Sequence, residues 1–254
     1  MPDKSLGQHW LKDRLILEAI ADFADIQPTD TVLEIGAGLG TLTSVLLDRA
    51  DRVVSVEFDR ELAKKLPGQF PGKNLQVENA DILSFDLTQL PLGYKVVANV
   101  PYYITSKIIQ TLSVSANPAS VAVLLVQKEV AERLAAKQGD MSILALSAQI
   151  FWEVSLGSVV GAEWFTPAPK VDSQVIVMRR REEPLVSPEK QKVFFRVVKA
   201  GFSAKRKKMR SSLAGGLGIT KPEAENILKK SGISPDIRAQ DLSVDDWLKL
   251  AESL

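Results

Sequence analysis

Thr31-Val32-Leu33-Glu34-Ile35-Gly36-Ala37-Gly38-Leu39-Gly40 is the stretch from which the fold follows. Its first five residues, mostly apolar and β-branched, read as a short buried strand, and the run from Thr41 to Arg49 reads as a helix. The three glycines between them make a turn whose backbone can lie close to a ligand, and the helix start offers unpaired N–H groups. Strand, glycine turn and helix in this order form the opening of a nucleotide-binding α/β domain.

Outward from this stretch, strand and helix alternate with short links. Arg52-Val53-Val54-Ser55-Val56 is a second strand, ending at Glu57, 21 residues after Gly36. A helix from Arg60 to Leu66 and a strand Leu75-Gln76-Val77-Glu78 lead to Asp81. Lys95-Val96-Val97-Ala98 is the next strand, with Asn99-Val100-Pro101-Tyr102 at its carboxyl end, followed by a helix through Lys107, Ile108 and Leu112. Val121 to Val126 is a further buried strand, Lys128 to Ala136 a helix, and the segments Ile150 to Val160 and Ser173 to Met178 alternate like edge strands. Upstream, Asp13 to Ala24 has helical apolar spacing and Leu6 to Leu11 is a loop leading into it. This pattern predicts a doubly wound, mostly parallel α/β sheet of seven strands, Rossmann-like in its winding. After the polar linker Arg181 to Ser187 the pattern becomes helical only: Glu189 to Ala200, Lys205 to Leu213, Pro222 to Ser231 and Val244 to Ser253. The expected organisation is a sheet domain over 1–183 and a small all-helical domain over 188–254.

Composition narrows the class of activity. The chain has no cysteine and one histidine, which excludes disulfides and thiol chemistry and argues against a histidine-rich metal site. No stretch approaches 18 apolar residues, and Met1 to Ser5 has neither a secretory nor a transit pattern, so the expected location is cytoplasmic with no membrane partner. Net charge is +1, yet Lys190 to Pro222 holds ten cations and no anion, so the rest of the chain carries −9. Such blocks are often solvated surface. Here Phe194, Phe195 and Phe202 lie between the charges, which points to a folded basic face and a phosphate-backbone partner.

The spacing of the glycine turn is G-x-G-x-G, with Thr41 where a dinucleotide site wants glycine, so a nicotinamide dehydrogenase loses ground to an S-adenosylmethionine-type site. Glu57 and Asp81 at strand ends suit a nucleoside whose ribose and amine both need acceptors; the plainer reading is ordinary surface carboxylates. Asn99, the Val100 carbonyl held outward by Pro101, and the Tyr102 ring suit an exocyclic amine beside a planar base, although an ordinary strand-to-helix turn uses the same residue types.

Glu34-Ile35-Gly36-Ala37-Gly38, Glu57, Asp81 and Asn99-Val100-Pro101-Tyr102 resemble the successive motifs of class I methyltransferases acting on adenine N6. More narrowly, four segments resemble the small-subunit ribosomal RNA adenine dimethyltransferases: Leu6-Gly7-Gln8-His9-Trp10-Leu11, Gln127-Lys128-Glu129, Phe165-Thr166-Pro167-Ala168-Pro169-Lys170-Val171-Asp172-Ser173, and Gly232 to Ser243. The resemblance covers essentially the whole chain and implies S-adenosyl-L-methionine as cofactor, with no metal. It implies that His9 and Leu11, with Gln8 beside them, contact the cofactor from the amino-terminal loop. Gly36 and Gly38 would pack along it, Glu57 hold its ribose, Asp81 receive its adenine amine, and Asn99 sit between cofactor and target base. Tyr102 would stack on a base taken out of the RNA, with Phe165 as the second face; for Phe165 the alternative is core packing. Lys205, Arg206, Lys207, Lys208 and Arg210 would grip the RNA backbone of a small ribosomal subunit or its precursor particle, and a monomer suffices for this.

Trp10 stands where the family usually has Phe, Val100 where it has Leu or Ile, Ala168 within a proline run, and Gly139-Asp140-Met141 where Tyr-Gly-Arg is common. Lys4 is the one basic residue before the amino-terminal motif, so no longer basic arm is expected. The competing functions are a large-subunit methyltransferase of the antibiotic-resistance type, against which Gly232 to Ser243 speaks, and a non-catalytic ribosome-assembly or RNA-binding factor, against which Glu57, Asp81 and Asn99 to Tyr102 speak.

Overall fold

The computed structural model describes residues 8–204 and 206–254. A two-residue strand β1 (Trp10–Leu11) precedes helix α1 (Arg14–Asp22), which starts where Asp13 accepts the Ile16 N–H at 3.0 Å. There follow β2 (Thr31–Ile35), α2 (Thr41–Leu47), β3 (Arg52–Glu57), α3 (Arg60–Gln69), β4 (Leu75–Asn79), β5 (Lys95–Asn99), α4 (Thr105–Val114), β6 (Val121–Gln127) and α5 (Lys128–Leu134). Next come α6 (Ile143–Gln149), β7 (Trp152–Val160), β8 (Phe165–Thr166) and β9 (Ser173–Arg180). The chain ends in α7 (Pro188–Gly201), α8 (Met209–Leu217), α9 (Lys221–Lys230) and α10 (Val244–Glu252).

Seven strands form one sheet in the order β4-β3-β2-β5-β6-β9-β7. The pairs β4–β3, β3–β2, β2–β5 and β5–β6 are parallel, and β9 runs antiparallel to β6. The chain winds outward from β2 through β3 to β4, then returns to lay β5 on the other side of β2. Their carboxyl ends diverge there, at the switch point where open α/β sheets bind ligands. On one face, alternate residues Val32, Val53, Val97, Val123 and Leu125 pack with Leu17, Ile20 and Ala21 of α1 and with Leu42, Val45 and Leu46 of α2.

The expected sheet and winding are present, with three local differences. Residues Trp10 and Leu11, read as loop, pair antiparallel with Thr166 and Phe165, which were also read as loop. A two-residue strand carries no periodicity to detect, and its existence depends on a partner about 155 residues away. Helix α6 was not anticipated. The basic helix expected from Lys205 begins only at Met209; Lys208 is still extended at ψ 151°. A run of cations is unfavourable at the positive end of a helix dipole, and the helix starts after it. Lys205 lies outside the described residues.

Two compact units emerge: residues 1–132 with 153–180, and residues 133–152 with 181–254. The second contains more than the carboxyl-terminal helices, because the supposed linker is bonded to the α6 region. Arg181 donates from its N–H to the Phe151 carbonyl at 3.1 Å and Leu185 to the Ile150 carbonyl at 2.8 Å. The N–H groups of Gly139 and Met141 both donate to the Gln240 carbonyl at 3.1 Å. Thr220 with Glu223, and Ser243 with Asp246, form capping boxes that start α9 and α10. Among the described residues no helix is long and apolar enough to cross a membrane.

Within the helical unit α8 lies against α7 at Gly216, where a Cβ would stand 2.4 Å from the Ala200 Cα and 2.8 Å from its carbonyl oxygen. Backbone cannot yield as a side chain can. Gly216→Ala is therefore expected to lower unfolding free energy by about 2 kcal/mol or more, read as a lower urea midpoint.

Candidate active site

A cavity of about 330 Å³ opens at the carboxyl ends of β2, β3 and β5, a size suited to a small-molecule ligand. It brings together Gln8, His9, Leu11, Gly36, Gly38, Glu57, Asp81, Asn99, Val100, Pro101 and Tyr102, eleven residues singled out from sequence. They arrive from the start of β1, the β2–α2 turn, the ends of β3 and β5, and the segment after β4.

Local chemistry shapes each wall. Gly36, Gly38 and Gly40 have φ of +73°, +56° and +80°, the left-handed region that other residues avoid. A Cβ on Gly40 would strike Leu66 at 2.8 Å and Phe70 at 3.0 Å, so this glycine serves packing. One on Gly36 would meet only Pro101 at 3.9 Å, and one on Gly38 the Trp10 indole at 3.4 Å; these two leave room in the cavity. The N–H groups of the three glycines are engaged within the protein. Gly36 donates to the Val56 carbonyl, Gly38 to Glu57 Oε2 at 2.8 Å and Gly40 to the Ala37 carbonyl. These glycines thus supply close approach rather than donors.

Glu57 accepts from Gly38 with one oxygen and from the Asp59 N–H at 2.8 Å with the other. Burial pushes its carboxyl up, while these two N–H groups pull it back down. About four lone-pair positions on a carboxylate leave acceptor capacity for hydroxyls. Asp81 accepts the Leu83 N–H at 2.9 Å through Oδ1 alone.

At the other wall, Asn99 donates from Nδ2 to the His9 carbonyl at 3.2 Å, and its Oδ1 has no hydrogen-bond partner among the described residues. Tyr102 shares a 2.6 Å hydrogen bond with Ser173 Oγ. Burial raises its phenol and the Ser173 bond partly offsets that. The His9 ring stacks on Tyr102 with centroids 5.6 Å apart and 18° between planes.

Phe165 is placed elsewhere. The residue is 3% exposed, within the apolar core that includes Leu11, and it is not among the residues lining the cavity. The second aromatic face expected of it is replaced by packing, because β8 turns the ring to the buried side while Thr166 stays exposed. The basic residues lie in the other unit and divide into two kinds. Arg206 and Lys207 are exposed with no ion pair among the described residues. Lys208 pairs with Asp236 at 3.1 Å, and Arg210 with Asp236 at 3.2 Å and Glu225 at 3.3 Å.

Glu34 is the one carboxylate of the cavity lining that was not assigned a site role from sequence. It is 1% exposed and receives a 2.6 Å hydrogen bond from Thr43 Oγ1. Burial, opposed by the Thr43 bond and helped by the Glu57 charge, pushes its carboxyl up to about 7. Its signal was an acid inside an apolar strand. With Glu57 and Asp81 against a single lysine, Lys107, among the described lining residues, the lining favours a cationic ligand over a pyrophosphate.

The family described as ribosomal RNA adenine dimethylase matches residues 2–254. A protein of Dehalococcoides mccartyi (strain CBDB1) named "Ribosomal RNA small subunit methyltransferase A" is 42% identical over 252 residues, 97% of this chain and 86% of its own length. Its namesake in Lactococcus lactis subsp. lactis (strain IL1403) is 39% identical over 264 residues, 99% of this chain and 89% of its own. Among solved structures, a dimethyladenosine transferase from Plasmodium falciparum superposes with a TM-score of 0.83 at 28% identity, covering 95% of this chain and 96% of that one. The 23S rRNA methyltransferase ErmE superposes at 0.79 with 31% identity, covering 96% and 99%.

A folded-state Glu34 that titrates near 7 against an ordinary 4.5 holds its proton while the unfolded chain has released it. Unfolding free energy from this group therefore falls as pH rises from about 4.5 to about 7. Glu34→Gln is expected to flatten that slope and to raise the urea midpoint above wild type at pH 8 but not at pH 5.

Proposed function

The chain belongs to the ribosomal RNA adenine dimethylase family, and from that premise we propose that it methylates N6 of two adjacent adenines near the 3′ end of small-subunit ribosomal RNA. The proposed methyl donor is S-adenosyl-L-methionine, and the substrate a small subunit or its precursor particle. The observation that carries this reading is the convergence of Asn99 to Tyr102 with Gly36, Glu57 and Asp81 on one carboxylate-lined cavity.

The donor set suits the cofactor. S-adenosylmethionine, when bound, supplies an electrophilic methyl group on a positively charged sulfur. Glu57 would hold the ribose hydroxyls with its remaining lone pairs, Asp81 the adenine amine, and Gly36 and Gly38 would let the methionine part lie against backbone. Leu11 and His9 would close the cavity from β1. Leu11 lines the cavity but is 1% exposed and packed in the core.

On the RNA side, the adenine N6 lone pair is delocalised into the ring and is a weak nucleophile. Asn99 Oδ1 and the Val100 carbonyl accept the two N6 hydrogens, favour a pyramidal nitrogen and orient its lone pair toward the methyl group. Both acceptors are uncharged, so neither removes the proton before transfer. Tyr102 supplies a face for the unstacked base, an interaction worth about 1–3 kcal/mol. Arg206 and Lys207 are the cations available for phosphate without breaking an existing pair. Lys208 and Arg210 must first leave partners, the exposed Asp236 and the half-buried Glu225, at a cost of about 0–1 kcal/mol per exposed pair.

Labelled S-adenosylmethionine incubated with unmethylated small or large subunits, followed by mapping of modified adenines, tests the assignment. Label in two adjacent adenines of the small subunit is expected. Label only in large-subunit RNA identifies the antibiotic-resistance-type activity, and cofactor binding without transfer to either identifies an assembly factor.

Asn99→Ala is expected to lower methyl transfer about 100-fold, ~2.7 kcal/mol, while RNA affinity stays near wild type. Reversing Arg206 and Lys207 to Glu is expected to weaken RNA binding and to reduce the slope of log K against log salt by about 1 per lost contact. Cofactor affinity should not change in that variant.

A further inference from the structure

Two residues lining the cavity carry aromatic rings that stay largely in solvent: Phe58 at 61% exposure and Tyr103 at 62%. Phe58 follows Glu57 on the wall assigned to the cofactor, and Tyr103 follows Tyr102 on the wall assigned to the base. Tyr102 is already committed, bonded to Ser173 and stacked on His9. The Tyr103 side chain makes no hydrogen bond or ring contact among the described residues. A single exposed ring is ordinary on a protein surface. This one lies four positions before the cavity's one lysine.

Lys107 lines the same cavity, is exposed, and is the third residue of α4. A short 3₁₀ turn (Tyr102–Ile104) leads directly into α4, and positions four apart on a helical stretch share a face. Lys107 is in no ion pair among the described residues. Its charge does not serve its own helix: the first turn holds no acid, no side chain caps the start, and a cation there opposes the helix dipole. Nor does it serve a sulfonium, which it repels. The charge is left for an anion.

A strand that places one base on Tyr102 leaves the cavity with a phosphate and the next base directly behind it. We infer that Tyr103 and Lys107 form a subsite for this neighbouring nucleotide. The Tyr103 ring stacks on its base, and the Lys107 ammonium binds the phosphate that joins it to the target. The inference rests on the adenine-methylating reading given above and adds to it a second recognised nucleotide. It is a specificity role, since neither side chain touches the reacting amine.

The test uses the full-length protein with unmethylated small subunits, and with subunits rebuilt on RNA made abasic just before or just after a target adenine. Tyr103→Ala is expected to lower kcat/KM on intact subunits about tenfold, ~1.4 kcal/mol, and Tyr103→Phe to stay within about twofold of wild type. The subsite has one direction along the strand. One of the two abasic particles should therefore lose about as much with the wild-type protein, and on it Tyr103→Ala should add less than about twofold. Lys107→Met is expected to reduce the slope of log K against log salt for subunit binding by about 1, and Lys107→Arg to retain it. Affinity for S-adenosylhomocysteine should stay within about twofold in every variant, and unfolding midpoints verify that each is folded.

A fall in S-adenosylhomocysteine affinity in Lys107→Met overturns the phosphate contact in favour of a lysine that holds the cofactor carboxylate. A Tyr103→Ala loss of equal size on intact subunits and on both abasic particles overturns the stacking in favour of a ring that serves the target adenine or the fold. Wild-type kcat/KM in Tyr103→Ala, or an unchanged salt slope in Lys107→Met, removes the subsite while the adenine-methylating reading stands. A wild-type protein that transfers no methyl group to intact small subunits removes that reading itself.

Discussion

The parallel pairing of β2 with β3 on one side and with β5 on the other is the constraint on which the rest of the molecule depends. Val32 and Leu33 face Val53 and Val54 across one ladder and Lys95 and Val96 across the other. Because the chain must leave β2 in one direction and come back to it from the other, the loops at its carboxyl end part and leave a cavity. Gly36 and Asn99 sit on its opposite sides, more than sixty positions apart in the chain. A sheet wound in a single direction would have covered that end with its own connections.

Glu57 then joins structure to chemistry. Its carboxylate fastens the glycine turn through Gly38 and the start of the next helix region through Asp59, and the same group faces the cavity. The turn therefore depends on an acid for its shape, and the N–H groups of its three glycines are consumed in holding it. What remains exposed to a ligand is acceptor-rich. That polarity suits a cationic sulfonium better than the pyrophosphate for which a glycine turn is more often recruited.

The helical unit is organised by different means. Capping boxes fix where α9 and α10 begin, and Asp236 and Glu225 draw Lys208 and Arg210 toward the carboxyl-terminal segment. The N–H groups of Met209 and Arg210 donate to the carbonyls of Ile237 and Pro235, so the end of the cationic run is pinned by the Gly232 to Ser243 stretch. A motif that looked like a family signature is thus also the support that presents the basic residues.

By itself the sequence determined the winding of the sheet, the strand-end positions of Gly36, Glu57, Asp81 and Asn99, and the segregation of charge. Each of these is local: periodicity marks a strand, glycine marks its turn, and position at the strand's end follows from counting. It did not determine which way a side chain turns once distant segments meet. Phe165 read as a stacking face and became core, because β8 pairs with a two-residue strand near the other end of the chain. Glu34 read as one letter of a motif and became a buried acid held near neutrality by its surroundings. The basic run read as a helix, and the helix starts after it. Only the tertiary structure decided that His9 lies against Asn99 and Tyr102, since that contact needs β1, β5 and β8 to be assembled at once, and no short-range pattern carries it.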